Sequence, residues 1–113
     1  MIKRILLAIA AIAVMAPLVF GASFQVQLAW DANTEPDVKT YKVYRTDGVR
    51  ALMGSVEHPL TTIFINVEVP DGSEGAATFI ATASDVVGNE SGDSNQVARP
   101  FDYKAPGAVQ NLR

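Results

Sequence analysis

Apolar and polar residues alternate with a period of two in several short segments of the chain after residue 23. Successive side chains of a strand point to opposite faces of a sheet, so this pattern predicts half-buried β-strands. Turn formers such as Pro70-Asp71-Gly72 interrupt the pattern. Strands are predicted at residues 24–31, 40–45, 51–56, 61–69, 77–83 and 95–99. Because none of these segments has the apolar repeat of a helix, the sequence indicates an antiparallel β-sandwich or barrel.

Four of the predicted strands have one apolar face, and these faces supply the expected core. On them lie Phe24, Val26, Leu28, Trp30, Tyr41, Val43, Ile63, Ile65, Val67, Val69, Phe79, Ala81 and Ala83. Trp30 has the largest side chain of this set, so we expect it to contribute most to the core. Tyr44 and Phe64 fall on the opposite faces of their strands. They are therefore candidates for exposed aromatic residues.

The first 23 residues have the layout of a secretory signal peptide. Lys3 and Arg4 precede an apolar run from Ile5 to Phe20, and small residues follow at once. A membrane-spanning helix is the alternative, but Pro17 interrupts the run and no basic residues follow it. The sequence predicts a secreted, periplasmic or cell-surface protein, which contacts a membrane only if this segment is retained.

Composition narrows the classes of partner. Of 113 residues, nine are Lys or Arg and twelve are Asp or Glu, and none is Cys. Without Lys3 and Arg4, seven basic residues face twelve acids, a net charge of −5. An acidic chain without a basic cluster argues against binding to nucleic acid. With no disulfide available, a single domain must be held together by packing alone.

Two separated motifs resemble bacterial fibronectin type III domains. The first is the segment from Leu28 to Asp37, with a tryptophan and an acidic loop around a proline, followed by the Tyr-x-Val-Tyr-Arg strand that ends at Arg45. The second runs from Thr82 to Asn95 and contains a Gly-Asn-Glu-Ser turn. The resemblance implies an all-β, immunoglobulin-like antiparallel β-sandwich over residues 24–100. This domain would follow the signal peptide predicted at 1–23.

The chain departs from the family pattern at two places. Ala77 stands where the family usually has a tyrosine that bonds back to the chain. Almost nothing precedes Phe24 that could form the family's first strand, whereas residues 105–113, in the tail 101–113, resemble such a strand. The tail has three readings: a linker with the first strand of a following domain, an edge strand supplied within the molecule, or a strand donated to a neighbour.

Candidates for chemistry are few. His58 is the only histidine, and its place in a predicted loop indicates a solvated side chain. Oxygen-bearing residues at every second position of the Asp31–Asp37 loop could bind calcium, but the glycine that bends a calcium loop is absent. We read this segment as a solvated acidic loop and leave calcium binding open. The sequence predicts no catalytic residue, no cofactor and no metal site, and thus no enzyme.

The sequence therefore predicts a non-catalytic exported module that binds or spaces other molecules through its loops and edge strands. The partner is a protein or a polysaccharide, and the surface candidates are Tyr44, Phe64, Phe101 and Tyr103. One alternative is a structural subunit of a surface or phage-related assembly that self-associates through its C-terminal tail. The other is a polysaccharide-binding accessory domain. Fold alone does not choose among these functions.

Overall fold

The computed structural model describes residues 21–113, so most of the predicted signal peptide lies outside the described residues. Six strands form in this part of the chain and no helix does. They are β1 Gly21–Ala29, β2 Val38–Arg45, β3 Ala51–Glu57, β4 Thr62–Pro70, β5 Glu74–Asp85 and β6 Val97–Asp102. Residues 21–113 thus offer no helix long and apolar enough to cross a bilayer.

The strands pair into two antiparallel sheets. The smaller sheet contains β1 and β4, and the larger sheet has the order β3-β2-β5-β6. Apolar side chains of the two sheets meet in one core, which makes the fold a β-sandwich. The all-β fold predicted from the alternation is confirmed, and it is a sandwich, as the family resemblance implies, and not a barrel.

The core lies between the sheets, on the faces that the sequence predicts. Its buried members are Val26, Leu28, Val43, Ile65, Val67, Val69, Ala77 and Phe79. Phe79 and Val43 are 1% and 0% exposed, and each apolar side chain of this size contributes about 1.5–3 kcal/mol on full burial. Trp30 packs against the core while only partly buried. The most enclosed large side chain is therefore that of Phe79 and not that of Trp30.

The sandwich extends beyond both boundaries predicted for the domain. At one end, β1 begins at Gly21, inside the segment assigned to the signal peptide. At the other end, β6 continues through Pro100 to Asp102. Pro100 is tolerated because β6 is an edge strand, where a residue without an N–H need not break the ladder. The exposed tail therefore begins near Lys104 and not at residue 101.

The segment before β6 pairs with β5 through serine hydroxyls. Ser91 N–H donates to the Ala83 carbonyl (2.8 Å), and Ala83 N–H donates to Ser91 Oγ (2.9 Å). Ser94 repeats the arrangement at Ala81, with distances of 2.9 and 2.8 Å. Each hydroxyl takes the place of a strand carbonyl, so this irregular segment still satisfies the edge of β5.

A buried tyrosine joins two loops at one end of the sandwich. The hydroxyl of Tyr41, a residue 2% exposed, accepts a hydrogen bond from Asn33 N–H (2.9 Å) and shares another with His58 Nδ1 (2.8 Å). His58 is half-buried, so the prediction of a solvated histidine was wrong. Ala77 is fully buried in the core. A tyrosine does bond back to the chain, but from Tyr41 in β2.

Arg45 and Asp47 connect three strands around the end of β2. The Arg45 guanidinium bonds both Asp47 carboxylate oxygens (2.9 and 3.0 Å) and donates to the Glu68 carbonyl of β4 (2.9 Å). Asp47 also accepts a bond from Thr78 N–H of β5 (3.1 Å). The hydrogen bond from Arg45 is the main cause that lowers the pKa of Asp47 below its ordinary value.

We expect the Asp47 carboxylate to make folding pH-dependent. A carboxyl whose pKa is lower in the folded state adds stability at neutral pH, and this stability is lost as the pH falls through the folded-state value. Asp47→Asn should therefore lower the urea midpoint at pH 7 and have less effect once the pH is well below about 4. The exposed Asp71, changed to Asn, is the control. An Asp47→Asn effect that is equal at both pH values would contradict the assignment.

Candidate functional site

The four aromatic residues predicted as surface candidates lie in three separate places. Tyr44 is on the outer face of the larger sheet, opposite the inward-facing Val43. Phe64 is on the outer face of the smaller sheet and is 60% exposed. Phe101 and Tyr103 lie together at the end of the sandwich, with ring centroids 6.3 Å apart. The four residues do not form one platform. Tyr44 and Phe64 lie on the outer faces of different sheets and belong to two separate surfaces.

Tyr44 occupies the middle of a row across three strands. Its register partners are Leu52 in β3 and Ile80 in β5, and its own side chain is half-buried. The hydroxyl donates a 2.6 Å hydrogen bond to Glu90, which also accepts one from Thr82. Tyr44 is therefore held by its neighbours in the sheet and by the hydrogen bond of its hydroxyl group.

Arg50 covers the ring of Tyr44. Its guanidinium carbon lies 4.4 Å from the ring centroid, a cation–π distance. Two further bonds, of 2.9 and 3.1 Å, join the guanidinium to both oxygens of Asp93. The planar fork of arginine suits this two-point contact with a carboxylate. Arg50 is thereby held in a defined position although it is exposed to solvent.

Electrostatics fix the charge state of this group of side chains. The hydrogen bond to Glu90 is the main cause that raises the pKa of Tyr44. The bond from Thr82 is the first cause, and that from Tyr44 the second, that lower the pKa of Glu90. Arg50 lowers the pKa of Asp93 in the same way. At neutral pH the tyrosine is thus neutral, and the arginine and both carboxylates are charged.

We call this group the Tyr44 surface, defined as Tyr44, Arg50, Leu52, Glu90 and Asp93. Leu52 is 56% exposed, so an apolar side chain lies beside the aromatic and cationic ones. Tyrosine and arginine are enriched at the centres of protein interfaces because they offer large contact areas and directed polar groups. Since the guanidinium of Arg50 already covers the ring of Tyr44, this face is less suited to stacking on a sugar.

A different chemistry occupies the outer face of the smaller sheet. Phe64 pairs in register with Gln27, and Asn66 pairs with Gln25. All four side chains point away from the core and are exposed. We call them the Phe64 surface. An exposed ring beside amides that both donate and accept hydrogen bonds has the chemistry needed to bind hydroxylated ligands.

Phe101 and Tyr103 close the end of the sandwich. The Phe24 ring lies 5.7 Å from that of Phe101 and 6.3 Å from that of Tyr103. Phe101 packs against the core cluster, whereas Tyr103 is 39% exposed. The sequence could not show this packing because it assigned both residues to a free tail. We therefore give Phe101 a packing role.

The acidic loop after β1 is organised by bonds within the protein. Asn33 Nδ2 donates to Glu35 (3.1 Å), and the Asp37 carbonyl accepts from Val86 N–H (3.0 Å). Within residues 21–113, no three His, Cys, Asp or Glu side chains come together in a way that could hold a metal ion. Calcium binding at Asp31–Asp37 has no support from this arrangement.

Sequence reasoning placed Tyr44 on the outer face but missed its partners. Arg50 comes from the β2–β3 loop, and Glu90 and Asp93 come from the segment between β5 and β6. Their contacts with the β2–β3 region span more than forty positions of the chain. No local pattern encodes such contacts. The one available signal was the second motif of the family resemblance, which contains both acids.

Comparisons with known proteins support the fold only. No protein-family model matches the chain, and no curated protein matches it. Among solved structures, it is similar to the crystal structure of the Clostridium perfringens spore cortex lytic enzyme SleM, with a TM-score of 0.51 and 21% identity. The match covers 74% of this chain and 27% of that chain, so this chain spans about a quarter of the length of that enzyme. At this identity the likeness shows a shared fold.

Proposed function

We propose that the chain is an exported, non-catalytic binding or spacer module of the fibronectin type III kind that binds a protein partner through the Tyr44 surface. The observation that carries the proposal is the stacked pair of Tyr44 and Arg50, held by Glu90 and Asp93. Export rests on the leading sequence, and the fibronectin type III class rests on the two motifs together with the arrangement of the strands.

The pair is ordered before a partner arrives, which favours binding. Binding is weakened when mobile side chains must become ordered at the interface, at a cost of about 0.5–1.5 kcal/mol for each side chain. Arg50 has two bonds to Asp93 and one ring contact, so much of its ordering is complete in the free protein. Leu52 supplies exposed apolar area next to the pair. A partner with an acidic group beside an apolar patch would complement this surface.

A second function is supported by the Phe64 surface. Phe64 is an exposed ring flanked by the amides of Gln27 and Asn66 on a sheet face. Such a face favours a polysaccharide, whose hydroxyl groups can bond the amides while a sugar ring stacks on the phenyl group. Because the two surfaces lie on opposite faces of the sandwich, each can be removed without touching the other.

Binding by matched variants tests both functions. The Tyr44→Ala/Arg50→Ala double variant removes the first surface, and Phe64→Ala removes the ring of the second. The wild-type chain would be immobilised and exposed to extracytoplasmic proteins from a bacterium that expresses this chain. In a separate experiment it would be exposed to a glycan array. We expect a retained protein whose affinity falls at least about 30-fold in the double variant, which corresponds to 2 kcal/mol or more at an interface centre.

The pattern of loss separates the outcomes. A protein retained equally by the wild type and the double variant would overturn the Tyr44 proposal. Glycan binding that is lost in Phe64→Ala and kept in the double variant would replace it with the polysaccharide function. Thermal unfolding of each variant shows whether a loss of binding reflects a loss of folding.

A further inference from the structure

The edge of β1 that faces away from β4 has no partner strand among residues 21–113. Trp30 N–H donates to the Thr61 carbonyl beside β4 (3.0 Å). Backbone groups alternate sides along a strand, so those of Leu28 and Val26 also point to β4. The backbone N–H and C=O groups of Gln27 and Gln25 point to the other side of β1, away from β4. β3, which belongs to the larger sheet, lies near β4. The open side of β1 is therefore an edge of the smaller sheet to which a strand can be added.

A cavity of about 330 Å³ opens beside this edge, between β1 and β6. Leu28 and Trp30 lie on one side and Val97 on the other, while Val43 and Phe79 of the core also line it. The Nε1 atom of Trp30 is buried without a hydrogen-bond partner. We call the open edge and this cavity together the β1 groove. An added strand would supply what the groove lacks, namely backbone bonds, apolar side chains and an acceptor for Trp30.

The tail of the chain, Lys104–Arg113, has the complementary properties. It forms no strand, and Val109 and Leu112 are 83% and 88% exposed. Side chains three positions apart point to opposite faces of a regular strand. Asn111, however, has a positive φ of 52°, the conformation with which a bulge inserts one extra residue. With this bulge, Val109 and Leu112 can face the same side and enter one cavity.

Geometry favours the tail of another molecule over the molecule's own tail. The tail leaves the sandwich at Tyr103, whose ring lies 6.3 Å from that of Phe24 near the start of β1. An antiparallel strand must enter at the other end of β1, beside Trp30. The nine residues of β1 span about 30 Å, and ten tail residues reach about the same distance when fully extended. Residues 104–113 of the same molecule would be used up in reaching this entry point.

The tail also differs in charge from the body of the protein. Residues 21–103 contain five Lys or Arg and twelve Asp or Glu, a formal net charge of −7. The tail contains two basic residues, Lys104 and Arg113, and no acid. Two copies would repel each other as a whole, whereas the tail of one is attracted to the body of the other.

We propose that the β1 groove binds the tail of a second copy of this chain as an antiparallel strand, with Val109 and Leu112 in the cavity. Donor and acceptor are different surfaces, so each copy can accept one tail and donate its own. Such a heterologous contact builds head-to-tail chains unless the rotation between copies closes a ring. The proposal is independent of the protein-binding function, because the groove does not include the Tyr44 surface.

Complementary variants of the full chain, recovered after export, test the proposal. Val109→Asp/Leu112→Asp places charges on the tail and makes a copy that can only accept. Gln27→Pro removes an N–H on the open edge, leaves the β4 side of β1 unchanged and makes a copy that can only donate. Light scattering with size exclusion should show oligomers that grow with concentration for the wild type, and monomers for each variant alone. An equal mixture of the two variants should form a dimer and nothing larger.

Each outcome decides the proposal. A wild type that stays monomeric at all concentrations would overturn it, and so would oligomers that persist in the tail variant. The tail variant is changed only at exposed positions, so this comparison does not depend on the folding of Gln27→Pro. Variants that fail to form a dimer when mixed, although both unfold cooperatively, would also contradict it. Tyr44→Ala/Arg50→Ala should assemble as the wild type does, which separates this result from the test of partner binding.

Discussion

Phe79→Ala is expected to lower the free energy of unfolding by about 3–5 kcal/mol, because the ring is fully enclosed between the two sheets. The loss combines the transfer of a buried ring with a cavity that the surrounding strands fill only in part. A domain of this size has a total stability of about 5–15 kcal/mol, so the variant would be close to unfolding. Urea denaturation at 25 °C, with a fall in the midpoint and an unchanged slope, is the measurement.

Phe64→Ala is the matched control, since it makes the same chemical change at a ring that is 60% exposed. Its effect should be within about 1 kcal/mol, because surface substitutions seldom change stability by more. Equal losses in the two variants would mean that Phe79 does not lie at the centre of the core. The pair therefore tests the inward and outward assignment of β4 and β5 together.

Tyr41→Phe is expected to cost about 1–3 kcal/mol although it removes a single oxygen atom. That oxygen accepts the Asn33 N–H bond and is bonded to His58 Nδ1, so the variant leaves both groups without their partner. Both bonds are partly buried, so water replaces the lost partner only in part and each group keeps some of the cost of an unsatisfied polar group. The amide of Asn33 should also exchange with solvent faster, and hydrogen exchange measured by NMR can detect this change.

Tyr44→Phe provides the comparison for this result. It removes a hydroxyl that bonds Glu90 at an exposed position, and Glu90 keeps its bond from Thr82. Its cost should be about 1 kcal/mol or less, with no change in exchange at Asn33. If Tyr41→Phe were as mild as Tyr44→Phe, the Tyr41 hydroxyl would not be the link between the two loops.

The period-two pattern predicts the strands well because burial of one face is a local property of the sequence. Val26, Val43 and Val67 all face inward as the alternation requires. The pattern fails where the structure depends on the backbone bonding of a strand edge and not on the burial of one face. The strand β6 continues past Pro100 because its edge has no partner to satisfy, and Ser91 pairs with β5 through a side chain. Neither effect can be read from the alternation of apolar residues.

The candidate site is predictable only at the level of a face. Alternation places Tyr44 on the outside of β2, but it says nothing of Arg50, which reaches the ring from the following loop. It also misplaces Phe101, since a residue after a proline at the end of a predicted strand resembles part of a tail. The ring of Phe101 packs on Phe24, 77 positions earlier in the chain, and a contact of this kind follows only from the assembled sandwich.

The start of β1 and the residue that follows β6 both lie next to the turn between β4 and β5. Gly21 pairs with Pro70, and Tyr103 N–H donates to the Ser73 carbonyl (2.8 Å). A pulling force applied through these two ends would load the β1–β4 and β5–β6 ladders one hydrogen bond at a time and would not shear them as a whole. The module should thus yield to low tension by peeling open. As a spacer it would add thickness between neighbouring segments and little length along the direction of the force.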